Sequence, residues 1–213
     1  MAWKVALPFA DDTESAHMDV KETTTGPGTI DDLVDQLQPK VVRARVLASL
    51  DELFGKGRVP EPAPSGFLPG RLVTTSVWGP GDAAVLRIAR MYMPWLGKSF
   101  DPERSAGVNV LTRTAKAPMK TLWPSYTPER ELDDRLECFP FRTRVAPGEV
   151  DPAVDVLKID YDFDANPGFV IRHILDELVD IGDGTYLGKI LYRTATGFRP
   201  IGFFSLQPHS VHR

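Results

Sequence analysis

The sequence predicts a mainly β fold, a mostly antiparallel, partly closed β-barrel with a few short helices and one longer helix ahead of it. Three observations carry that prediction. Six or seven segments alternate apolar with polar residues or are rich in β-branched residues, the period-two pattern of half-buried strands. Glycine turns separate several of them, above all Asp183-Gly184, a pair that suits a two-residue hairpin because both central positions need positive φ. The strands also lack the alternation with helices that βαβ units impose, which argues against a doubly wound parallel sheet. The stretch from Val154 to Leu206 shows the pattern best: strands fold back on one another as they do when a small barrel closes over a cavity.

Taken in chain order, residues 1–29 have little periodicity and end in TTTGPGT, so they are expected to form a flexible or draped arm. Thr29 and Asp32 give a capping signal for a helix that begins near Ile30, is interrupted near Pro39, and resumes to about Phe54. Val42, Val46, Leu50 and Phe54 form its apolar stripe, and Gly55 and Gly57 end it. Residues 58–66, with three prolines, make an extended linker, and 68–78 a strand. Gly79-Pro80-Gly81 breaks that strand. Asp82 then caps a short helix with Val85, Ile88, Ala89 and Tyr92 on its apolar face, ended by Pro94. Val108–Thr112 is a strand and 115–133 a long loop. Arg135–Val145 is a strand in which Pro140 calls for an edge or a bulge. A strand over Val154–Tyr161 leads through Asn166-Pro167-Gly168 to a helix near 169–178, with Ile171, Ile174, Leu175 and Leu178 on one face. Another strand begins at Val179–Ile181. Tyr186–Arg193 then pairs with Arg199–Leu206 across the turn at Ala195–Gly197. The expected organisation is one barrel domain over 30–206, preceded by the arm and followed by a tail, 207–213.

Composition narrows the function. At 213 residues, 42% hydrophobic and 25% charged, the chain can bury a sizeable core. A net charge of -4 without a Lys/Arg run argues against a nucleic-acid partner. Cys138 is the single cysteine, so no internal disulfide or Cys-based metal framework is expected. The first twenty residues lack the apolar core of a secretory signal, and no stretch approaches the ~18 apolar residues of a membrane span. A cytoplasmic protein is the expectation; the oligomeric state is open, and a homodimer is compatible with the sequence.

The order of several short motifs resembles a known pattern. Leu50-Asp51-Glu52-Leu53 ends a helix, a proline linker follows, and Gly70-Arg71 opens a strand. Trp95-Leu96-Gly97-Lys98-Ser99-Phe100 is an aromatic-x-Gly-Lys-x-Phe box, followed by Val108-Asn109. Tyr161-Asp162 stands ahead of Pro167, Phe169 and Arg172, and Asp183, Leu187, Gly188 and Phe203–Leu206 close the series. This order is similar to that of bacterial and fungal proteins pairing a GXWXG-type N-terminal module with a DUF4334-type C-terminal module, over about residues 45–206. The tryptophan of the GXWXG motif is absent, since Arg71-Leu72-Val73 follows Gly70. The resemblance implies a lipocalin-like barrel with a ligand cavity, and no established reaction.

Within such a barrel, Asp160-Tyr161-Asp162 followed by His173 is the leading candidate for chemistry. If Lys158 and Asp160 face inward, burial moves their pKa values toward neutrality, as acid–base catalysis requires. In the opposite register, which the periodicity favours, Leu157, Ile159 and Tyr161 face inward and Tyr161 supplies a cavity hydroxyl. His173 falls at the margin of its helix's apolar stripe, where a surface role is the commoner one. The candidate catalytic set is Asp160, Tyr161, His173 and Lys158. Trp95 and Lys98 could frame a cavity mouth, with Lys98 meeting an anionic head group, or could plug the barrel end. Asn109 and Arg172 join them as motif residues, and Trp78, Phe141, Tyr186 and Phe203 as aromatic lining, to complete the ligand-binding set. No spacing of histidines suits a metal, and no cofactor is expected. The first functional expectation is binding of a small hydrophobic or amphipathic molecule. The alternatives are a cofactor-independent cyclase, isomerase or lyase on the same scaffold, and a protein-interaction module.

Overall fold

A computed structural model describes residues 40–75 and 94–208. The chain enters through α1 (Lys40–Gly55) and then forms β1 (Gly66–Thr75), β2 (Trp95–Asp101) and β3 (Ala106–Thr112). A short helix α2 (Lys116–Leu122) and a two-residue strand β4 (Arg130–Glu131) precede the long β5 (Arg135–Pro147). The strands β6 (Asp155–Asp160), β7 (Ile174–Asp180), β8 (Tyr186–Thr194) and β9 (Gly197–Leu206) complete the series. Apart from β4, which adds only to β5, each strand pairs antiparallel with the strand before it. β1 pairs with β9, so the sheet shuts into an eight-stranded barrel. The fold class is therefore the one the alternation and the glycine turns predict.

Closure requires one strand to bend. β5 pairs with β3 through Arg135–Arg142 and with β6 through Arg142–Pro147. The turn in direction falls at Phe139 and Pro140, opposite the register shift between Gly107 and Asn109. Phe139 has φ 50, and Pro140 has no N–H to give to a ladder, so a bulge is the place in a sheet that accepts it.

Two apolar layers result. The inward face collects residues such as Leu68, Phe100, Leu136, Ile159, Leu178 and Phe204. On the outside, Val46, Leu50 and Phe54 of α1 lie over Val73, Val156 and Phe203. The i, i+4 stripe of the helix thus finds its partner on the outer wall of the barrel. The hairpin between β7 and β8 turns at Asp183 (φ 52) and Gly184 (φ 70), with Thr185 N–H donating to Gly182 O at 2.9 Å. Positive φ at both central residues matches the handedness of the flanking strands.

The structure corrects two expectations. Residues 169–178 are not a helix. One 3-10 turn, Ile171–His173, runs straight into β7. The reason is burial on both faces: Ile174 and Leu178 point into the barrel while Val179 packs under α1, and Ile174–Val179 are all buried. Such a strand loses its alternation and mimics a helical stripe. The loop at 115–133 also contains α2, where Pro118 sits in the first turn, the part of a helix that tolerates proline. Its Met119, with Trp123 just beyond, is buried against the barrel core. The arm 1–29, the first part of the N-terminal helix, the helix expected from Asp82, Trp78 and the end of the tail lie outside the described residues.

Candidate functional site

Local backbone geometry places the site. β2 carries a bulge between Trp95 and Gly97, so Trp95 and Lys98 both face inward although three positions separate them. Gly97 makes this possible. Its φ is +147, and a Cβ there would lie 2.1 Å from the Leu68 carbonyl oxygen, so only glycine fits without a shift of backbone. Lys98 stands opposite Asn109 on β3. It extends across the interior to Asp176 on β7, which lies four strands away in either direction around the barrel. Tyr161 projects inward just past the end of β6.

These side chains form a buried network. The Lys98 ammonium, fully buried, donates to Asp176 Oδ2 at 2.8 Å, Tyr161 Oη at 2.5 Å and Asn109 Oδ1 at 3.0 Å. Tyr161 O–H donates to the same Asp176 oxygen at 3.0 Å. The Asn109 amide nitrogen donates to Tyr161 Oη at 3.1 Å and to Phe139 O at 3.2 Å, while its oxygen also accepts from Trp95 Nε1 at 3.2 Å. All three ammonium protons and both amide protons are thereby engaged. Rings of Trp95, Phe141, Tyr161 and Phe204 surround the ammonium at 5.0–5.5 Å, within cation–π range. Burial nonetheless holds the Lys98 pKa below the usual lysine value, with the Asp176 carboxylate opposing the shift. Asp176 Oδ1 is buried without a hydrogen-bond partner.

A small cavity abuts this network. Its walls are Leu111, Phe139, Ile171 and Ile174, and Trp95, Asn109 and Tyr161 form its polar end. It leaves about 20 Å³ for the centres of water-sized molecules, room for one or two waters. Of the segment Phe169–Ile171, Ile171 lines the cavity and Val170 is buried in the same apolar core. Trp123 Nε1 donates to Phe169 O at 3.1 Å, and Phe169 leaves its own ring 55% exposed. Val170 is buried with φ 75 and ψ -62, an unfavourable conformation for a β-branched residue.

The structure brings five of the candidate residues together: Tyr161, Trp95, Lys98, Asn109 and Phe141. It separates the other described candidates from the cavity. Asp160 is on the outer face of β6, accepting from Asp162 N–H at 3.0 Å. His173 is exposed and stacks on Tyr192, 5.6 Å between centroids. Arg172 bridges Asp162 and Asp164 at the surface. Phe203 is under α1, and Tyr186 is half-buried at the margin of the inner core. Lys158 also faces outward, yet it is buried beneath the 148–154 loop, paired with Glu149 at 2.5 Å. Lys189 does likewise, pairing with Asp151 at 2.5 Å and Asp51 at 3.0 Å and lying 4.4 Å from the Phe54 ring. Burial raises the pKa of Glu177 between them. Asp176 was absent from the candidates because it falls in the stretch that resembles a helix. Its one detectable sign was a carboxylate set among Ile174, Leu175 and Leu178.

Cys138 is buried in the barrel core, and burial pushes its thiol pKa up, so it stays protonated and unreactive. A thiol-specific reagent is expected to modify no cysteine in the native protein and one after unfolding in urea. Rapid modification without denaturant would show that the barrel opens readily.

Among the described residues no three His, Cys, Asp or Glu side chains converge as metal ligands do, and no helix is long and apolar enough to cross a membrane. No family model matches the sequence, and no curated protein does. A crystal structure of a protein from Thermomonospora curvata is similar over 84% of this chain and 99% of that one, at 19% identity and a TM-score of 0.44.

Proposed function

We propose that the barrel binds a small, mostly apolar molecule carrying one polar group, at the cavity between Trp95, Tyr161 and Ile171. The observation that supports this most directly is the composition of the walls. Apolar side chains make the sides, and the hydrogen-bonding groups are gathered at one end, the arrangement that both encloses and orients a ligand. Anything larger than a few atoms requires a wall such as Ile171 to move, and the strained Val170 beside it makes the segment Phe169–Ile171 the natural one to give. The reading carries with it membership of the GXWXG/DUF4334-type family, for which the motifs at Leu50–Leu53, Gly70-Arg71 and Trp95–Phe100 speak, and a cytoplasmic location.

The test is ligand binding by thermal unfolding with a panel of cyclohexanol, benzyl alcohol and toluene, together with native mass spectrometry of protein purified from its own host. A ligand at 100 times its Kd stabilises by about 2.7 kcal/mol, which for a chain of this size is a rise in Tm of roughly 5–10 °C. Ile171→Trp, which fills the cavity, is expected to abolish the rise. No shift with any of the three, and no co-purifying molecule, would count against the proposal.

A second reading is an enzyme that works by proton transfer without a cofactor. One observation favours it: Tyr161, which lines the cavity, shares its hydroxyl with a buried ammonium and a buried carboxylate. A phenol held between these two groups can deliver or receive a proton without exposing either charge to water.

A further inference from the structure

We propose that Lys98 captures small aldehydes or ketones as an imine, with Asp176 and Tyr161 moving the protons. This deepens the cavity reading and rests on it. Among the described residues three lysines are buried, and one of them has the surroundings of a reactive amine. Lys158 and Lys189 face outward and are each tied to carboxylates that reach the protein surface. Lys98 faces inward, and three of the residues packed against its nitrogen, Trp95, Asn109 and Tyr161, also line the cavity. A carbonyl group held at the polar end of the cavity is therefore one layer of side chains from the amine, and it reaches the nitrogen once the Trp95 side chain, which borders both, turns aside.

The chemistry balances within these residues. The ammonium first passes a proton to Asp176 Oδ2, 2.8 Å away, which turns a buried ion pair into two neutral groups. Burial, which depresses the amine's proton affinity, favours that transfer. The nitrogen lone pair then forms a bond to the carbonyl carbon, and the carbonyl π pair moves onto oxygen. That oxygen takes a proton from Asp176, directly or through the Tyr161 hydroxyl, and the nitrogen returns one of its protons to the carboxylate. Protonation of the new hydroxyl by Asp176 lets it leave as water while the nitrogen lone pair closes the C=N bond. The products are a protonated imine, the Asp176 carboxylate and one water, so the pair of opposite charges is restored. The substrate class is a small carbonyl compound with an apolar body, and no oxidant or reductant takes part.

The experiment traps the imine on the wild-type, full-length protein. The protein is incubated at pH 7 with cyclohexanone and sodium cyanoborohydride, which reduces the iminium to a stable secondary amine, and the adducts are located by intact-mass and peptide mass spectrometry. The expected result is one cyclohexyl adduct, on Lys98, formed at least ten times faster than on any other lysine, with Lys158 and Lys189 as buried internal controls. Tyr161→Phe is expected to slow the adduct at least tenfold while a ring remains in the same place. Cyclohexanol, which has the same shape and no carbonyl, separates the two ideas. If it raises Tm while Lys98 is labelled no faster than the other lysines, the imine proposal is overturned and the cavity reading stands. If neither occurs, both fall.

Discussion

Replacing Asp176 with leucine is expected to destabilise the protein by about 3–5 kcal/mol, the cost of leaving one partner of a buried ion pair alone. Among the described residues Lys98 has no alternative anion within hydrogen-bond reach: its other two acceptors, Asn109 Oδ1 and Tyr161 Oη, are neutral. Its four surrounding rings soften the loss but supply no negative charge. The unpaired amine would then lose its proton or draw water into the core. The double variant Lys98→Met, Asp176→Leu removes both charges and is expected to recover most of the loss, because apolar replacement of a whole buried pair is often close to neutral. Urea unfolding of wild type, the two single variants and the double variant measures the coupling. A single Asp176→Leu variant within 1 kcal/mol of wild type would show that the ammonium is not held in this way.

The second large effect is expected at Gly97. Alanine there meets the Leu68 carbonyl oxygen at 2.1 Å and the Gly70 nitrogen at 2.9 Å, both backbone atoms that cannot swing aside. It must also adopt φ +147. Backbone strain of ~1–3 kcal/mol and overpacking of ~1–3 kcal/mol together give a loss of about 2–6 kcal/mol. The consequence goes beyond stability, because the bulge at Gly97 is what turns Trp95 and Lys98 to the same side. The Gly97→Ala variant is expected to unfold at lower urea and to lose the cyclohexanol shift even at temperatures where it remains folded. Gly55→Ala, at the end of α1 with no atom within 4 Å of the added methyl, is the control and should change stability by no more than about 0.5 kcal/mol. Equal behaviour of the two variants would mean that the β2 bulge does not depend on glycine.

Much of the barrel is legible in the sequence, and the parts that are not share one physical cause. The β7–β8 turn follows from Asp183-Gly184, because few dipeptides accept positive φ twice. The α1 stripe follows from Val46, Leu50 and Phe54, because small or charged residues (Ala44, Arg45, Ala48, Asp51 and Glu52) fill the exposed positions. Over 154–161, alternation puts Leu157, Ile159 and Tyr161 on one side, and they share the barrel interior. The pattern fails where both sides of a strand are covered. Ile174–Val179 lies between the inner core and α1, so period two disappears, and with it any sign that Asp176 points inward. Lys98 illustrates the same limit from the other side. Its box suggests a cation awaiting a ligand's head group, whereas the anion it meets comes from this chain, 78 residues further along. A contact between strands on opposite sides of a barrel leaves no trace in local spacing. Lys158 shows that outward does not mean solvated: the 148–154 loop, with Glu149, closes over it.

The seam between β1 and β9 has a kinetic consequence. Every other pairing of the barrel joins strands that are neighbours along the chain, apart from the short β4, and such contacts form early because little chain has to be ordered to make them. β1 and β9 bring Gly70 to Leu206, most of the span of the described chain, and that closure carries the largest loop entropy of the fold. Until it occurs, the strip β1–β2–β3 and the strip β7–β8–β9 are the two free margins of an open sheet, with Lys98 on one and Asp176 on the other. The ammonium and the carboxylate can stay hydrated through most of assembly and lose their water only as the sheet curls shut, so the interior ion pair belongs to the last stage of folding.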